Sequence, residues 1–125
     1  MLSLSELREK IPASADCSGL VNELYVDMSA RMDDLGLDMD DATALMLSNH
    51  ILCLAKRIES GEFVDPIDEG LFSEVGEKAR VASRACLEPA FERCGREVDM
   101  TELLMVATHV EVAMAKAAAA AGDAA

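Results

Sequence analysis

An all-α fold is what this sequence predicts: a compact bundle of four main helices plus a short middle helix. Three observations carry that expectation. Just over half of the 125 residues are apolar, yet aromatics make up only 3% and Trp is absent. The core must therefore be filled by Leu, Val, Met and Ala, and all of these except Val favour helix. Several long stretches place apolar residues at three- and four-residue steps, the period of a helix face. Finally, Gly, Pro and capping residues punctuate the chain at helix-length intervals. The length suits one domain with one core.

Taken in order, residues 2–10 can form a short helical turn, because Ser3 followed by Glu6 has the spacing of a capping box. Pro12 and the Ala-Ser-Ala-Asp run at 13–16 break it, so residues 1–16 are expected to be an N-terminal extension to a helical domain at 17–121. Residues 19–35 alternate Leu20, Leu24, Met28 and Leu35 with Asn22, Asp27, Arg31 and Asp34, an amphipathic helix stopped at Gly36. Asp38, Asp40 and Asp41 follow. They lack the spacing of a calcium loop and have no glycine where one is needed, so they read as helix initiation by capping and dipole.

Residues 42–59 make the longest internal helix, with Met46, Leu47, His50, Leu54 and Ile58 on one stripe and Ser60-Gly61 as the stop. After a loop, Pro66 suits the first turn of a short helix within 67–75. Residues 77–94 carry Val81, Cys86, Leu87, Ala90 and Phe91 on the apolar side, and Pro89 is expected to kink or split them. Gly95-Arg96 turns the chain. Asp99 or Thr101 then caps a final helix running to about 121 through Leu104, Met105, Thr108, His109, Val112 and Ala113. The alanine tract at 117–121 has nothing large to pack, and residues 122–125 are expected to be a frayed tail.

The net charge of −13, uninterrupted by any basic cluster, argues against nucleic acid or an anionic membrane as direct partner. The first ten residues contain Glu6, Arg8, Glu9 and Lys10 and no apolar core of a secretory signal, and no apolar run reaches membrane-spanning length. A cytoplasmic location is expected. Cys17, Cys53, Cys86 and Cys94 form no CxxC pair and should stay reduced there, with Cys53 and Cys86 acting as small buried hydrophobes. The eight methionines suit gap filling between helices.

The concentrated chemistry is a pair of histidines, His50 and His109, the only two in the chain. Each lies on an apolar helical stripe, where a histidine is most often a hydrogen-bonded structural residue. A metal reading would place His50 and Cys53, three apart on one helix, opposite His109 and Glu102; that spacing arises easily by chance. A nucleophilic reading uses the neutral imidazole as a phosphoryl acceptor at cytoplasmic pH. No glycine-rich phosphate loop and no serine-histidine-acid set accompanies the pair. The chain is then expected to be a target of phosphoryl transfer and not an enzyme, with no cofactor and no resident metal.

These residues resemble the PTS regulation domain (PRD), a helical module of bacterial antiterminators and activators. The family's first motif reads roughly Leu-x-Asp-His-Ile with an arginine seven residues after the histidine; here stand Leu47-Ser48-Asn49-His50-Ile51 and Arg57. Its second motif places an acidic residue seven positions before a histidine in the last helix, matched by Glu102 and His109-Val110. Between them, Asp65-Pro66-Ile67 is similar to the Asn-Pro-Leu that opens the family's short middle helix. The resemblance covers roughly residues 19–116.

It implies phosphorylation of His50 and His109 by the phosphocarrier HPr or a sugar-specific EIIB of the sugar phosphotransferase system. Asn49, Arg57 and Glu102 would be supporting residues, and the readout would be a changed association with itself, as a homodimer, or with an unknown regulatory protein. Two departures stand out. Asn49 replaces the family's aspartate, which removes the charge beside His50. The chain also holds one PRD-like unit, without the nucleic-acid-binding domain and paired units usual in the family. Two alternatives accompany this reading: a degenerate PRD acting as a binding subunit with structural histidines, and a small metal-binding helical protein using His50, Cys53 and His109.

Overall fold

The computed structural model describes residues 1–12 and 17–123, including all their side chains except those at 69, 71 and 120–123. The break expected at 13–16 and the last two residues of the tail lie outside the described residues. Among the described residues the chain forms five α-helices with a 3₁₀ turn between the third and the fourth, and no strand: α1 (Leu4–Lys10), α2 (Gly19–Asp33), α3 (Asp41–Ser60), the 3₁₀ turn (Glu69–Phe72), α4 (Glu77–Arg93) and α5 (Met100–Asp123). Helices α2 to α5 are the four main helices, and α2 packs on both α3 and α4, α4 on α5, and α3 along a shorter contact on α5. No helix among the described residues is long and apolar enough to cross a membrane.

Every helix but α4, which starts after Gly76 without a side-chain cap, begins where a short polar side chain can accept a free backbone N–H. Ser3 accepts from Glu6, Ser18 from Val21 and Asp40 from Thr43. The Asp99 carboxylate accepts the Thr101 N–H at 2.9 Å at the start of α5. Such caps contribute about 1 kcal/mol each. Helix α3 stops at Gly61, whose φ of 82° is the left-handed conformation that glycine adopts without a Cβ penalty, and its N–H returns to the Arg57 carbonyl.

The core is aliphatic and methionine-rich, as the composition requires. Leu24, Met28 and Met32 of α2 meet Leu47, Ile51, Leu54 and Ile58 of α3, with Leu87 and Phe91 of α4 and Val106 and Val110 of α5 closing it. Each such side chain contributes about 1.5–3 kcal/mol relative to leaving it in water. The N-terminal segment joins this core: Leu2 and Leu7 are buried in it, the Leu2 N–H donates to Ser48 Oγ at 2.9 Å, and the Tyr25 hydroxyl donates to the Leu2 carbonyl.

Several expectations need correction. Helix α4 runs unbroken through Pro89. Proline deletes one donor, but Leu87, Ala90 and Phe91 around it are buried, and packing of an apolar face outweighs one lost bond in sustaining a helix. The short middle helix is a four-residue 3₁₀ turn. It is capped by Asp68, which accepts the Gly70 N–H at 2.9 Å, and Pro66 precedes it instead of opening it. Arg80 of α4 anchors it by donating to the carbonyls of Phe72 and Val75. Met46, Val81 and Val112, read as apolar-face positions, are exposed because they fall at the edges of their stripes. Cys86 is buried, whereas Cys53 is only half-buried. Helix α5 continues to Asp123, two residues beyond its expected end.

Candidate functional site

Helices α3 and α5 lie antiparallel, and their facing side chains form three rungs. Asp40, the α3 cap, faces Lys116 at 4.0 Å; His50 faces His109; and Arg57 faces Glu102 at 2.8 Å. The seven-residue steps from His50 to Arg57 and from His109 back to Glu102 are two helical turns, which keeps each pair on the same face. The sequence spacing thus becomes a spatial one.

The two imidazoles meet edge to face, with ring centroids 5.9 Å apart and planes at 67°. They border an open pocket of about 410 Å³, walled by Met46, Asn49, Cys53 and Arg57 from α3, Met105 from α5 and Val64 from the loop after α3. Both rings are half-buried. Burial lowers the His50 pKa from its ordinary 6.5; Glu102 opposes that shift, while His109 and Arg57 add to it. The outcome is a neutral ring near pH 7, carrying a nucleophilic lone pair. One of its nitrogens, Nε2, is buried with no hydrogen-bond partner. A buried polar atom left in that state costs about 1–3 kcal/mol.

Arg57 and Glu102 form a two-pronged ion pair, with Nε to Oε2 at 2.8 Å and Nη2 to Oε1 at 2.9 Å. Glu102 is 2% exposed and Arg57 23%. The carboxylate holds the guanidinium pKa above its ordinary value, chiefly through the hydrogen bond. Arg57, which lines the histidine pocket, and Glu102 are therefore engaged with each other. Asn49 lines the pocket, and its Oδ1 lies 4.0 Å from the Cys53 thiol.

The metal arrangement does not assemble. Glu102 is held by Arg57, and among the described residues no three His, Cys, Asp or Glu side chains are gathered so as to hold an ion. His50 and His109 come together, and Cys53 lines the same pocket without completing a metal-holding group with them.

One contributor has no local sequence signal. Arg96, readable only as part of a turn, reaches back to the end of α3 and donates to the carbonyls of Arg57 and Ile58 at 2.8 and 3.3 Å and of Glu62 at 3.3 Å. Its guanidinium also lies over the rings of Phe63, at 4.6 Å, and Phe91, at 5.4 Å. It ties down the backbone that carries Arg57, and the carbonyls it donates to lie more than thirty residues away in sequence. No family model, curated protein or solved structure matches this chain at a significant level.

Proposed function

We propose that this chain is a cytoplasmic, non-enzymatic regulatory module of the PRD type that accepts a phosphoryl group on the His50–His109 pair. The observation that carries the reading is the meeting of two imidazoles from separate helices in one open pocket, one rung from an Arg–Glu pair. The donor would be a phosphohistidine protein, HPr or an EIIB. Its P–N bond breaks and returns the electron pair to the donor ring, while the lone pair of the accepting imidazole forms the new P–N bond. Neither water nor an oxidant is consumed.

A phosphate adds about −1.5 to −2 charges and strong acceptor oxygens at a half-buried seam. Arg57 is the nearest counter-charge, and it is already gripped by a buried carboxylate. The new charge therefore competes for that grip and biases the α3–α5 seam, which is the kind of two-state element a modification can switch. The readout is association, with a second copy or with a regulatory protein.

Sedimentation of the full chain before and after treatment with phosphoenolpyruvate, enzyme I and HPr, with EIIB proteins added in turn, tests the reading. A shift in association state that requires the phosphate supports it. A chain that remains unmodified and unchanged under every donor supports structural histidines instead.

A further inference from the structure

The two histidines are unequal, and their inequality assigns them different work. His50 keeps Nε2 buried and without a partner, whereas no such orphan nitrogen is found on His109. An incoming phosphoryl donor cannot reach an atom sealed from solvent, but an oxygen carried on the neighbouring ring can satisfy it. With the rings edge to face and their centroids 5.9 Å apart, a group bonded to one ring stands beside the other. Charge points the same way. Among the described residues lining the pocket Arg57 is the only cation, and its Nε–Nη2 edge is already paired with the Glu102 carboxylate. Two phosphates would bring roughly three to four negative charges to a pocket with no uncommitted cation.

We propose that the pair holds one phosphate at a time: His109 is the ring that takes it, and His50 stays unmodified and positions it by donating its Nε2–H to a phosphate oxygen. This rests on the phosphoacceptor reading above and sharpens it. In the step itself, the lone pair of His109 forms the P–N bond as the donor's P–N bond breaks toward the donor nitrogen. His50 loses no atom and gains a hydrogen bond. The groups facing His50 are Glu102, His109 and Arg57. A phosphate on His109 acts on His50 in the same direction as Glu102, favouring a ring that donates from both nitrogens. His50 is thus a positioning residue whose unpaired nitrogen is the unmodified state's cost.

Potassium phosphoramidate tests this without a protein donor, because its protonated nitrogen leaves as ammonia when an imidazole attacks phosphorus. The full chain is treated with it, weighed intact and fragmented by electron transfer to locate the phosphate. One phosphate, on His109, is expected. His50→Ala should accept it at the same place and lose it several-fold faster, and His50→Gln, which restores an N–H donor, should recover much of the lifetime. A second phosphate, a phosphate on His50, or equal lifetimes in parent and His50→Ala would overturn the proposal alone. No phosphate on either histidine would overturn it together with the reading it rests on. The mapping on the parent decides the site even if a variant fails to fold.

Discussion

Arg57 of α3 grips Glu102 of α5 through both carboxylate oxygens, at 2.8 and 2.9 Å, and the carboxylate is almost wholly buried. Neither residue has any necessary relation to the other in sequence, 45 positions apart, yet Glu102 holds the Arg57 side chain that lines the histidine pocket.

Removing one partner strands the other. Arg57→Ala should destabilise the chain by about 2–4 kcal/mol, somewhat below the range for fully buried pairs because Arg57 retains 23% exposure. Combining it with Glu102→Leu should recover a large part of that loss, since an apolar replacement leaves no unpaired charge. Urea denaturation of the two variants checks both statements. A double variant no more stable than Arg57→Ala would contradict the assigned pairing.

The His50 pKa is lowered by burial, so the unfolded chain takes up this proton more readily than the native one. Stability from this group is complete above the ordinary value of 6.5 and is lost as pH falls from there toward the lowered value. The urea midpoint should therefore drop between about pH 7.5 and about pH 5.5, a window above the ordinary carboxylate range. His50→Gln should flatten this slope. An unchanged slope in the variant would place the proton uptake elsewhere.

Pro89 sits inside α4 without ending it. Pro89→Ala restores an N–H to the helix and relieves ring crowding, gains of about 3 kcal/mol in a free helix. Loss of proline's restriction on the unfolded chain offsets about 0.4–1 kcal/mol of this, and the tight packing around Phe91 has already absorbed part of the crowding. A net stabilisation of about 1–2 kcal/mol in urea is expected. A destabilised variant would mean that the surrounding core is shaped to the proline ring.

How far the sequence could be read depended on how local each determinant was. Periodicity placed α2 to α5, because Leu24, Met28, Leu47, Leu54, Leu104 and Val110 repeat within their own segments. Caps at Ser3 and Asp40 and the stop at Gly61 were legible for the same reason. Pro89 does not split α4, because its penalty is local while the packing that overrides it comes from other helices. Met46 and Val112 misled because a stripe's edge is fixed by the neighbouring helix, which periodicity does not reveal. The facing of His50 with His109 and of Arg57 with Glu102 follows from matched seven-residue steps once α3 and α5 are known to run antiparallel. Arg96 had no such clue, since it acts by donating to carbonyls and stacking on the Phe63 ring, which only the folded chain brings near.

The most direct measurement is the intact mass of the purified chain after phosphoenolpyruvate, enzyme I and HPr, with and without EIIB, followed by brief acid treatment. The account predicts one added phosphate that acid removes, as expected for a P–N bond. A folded chain that gains no mass from any of these donors, or that carries a phosphate surviving acid, would contradict it.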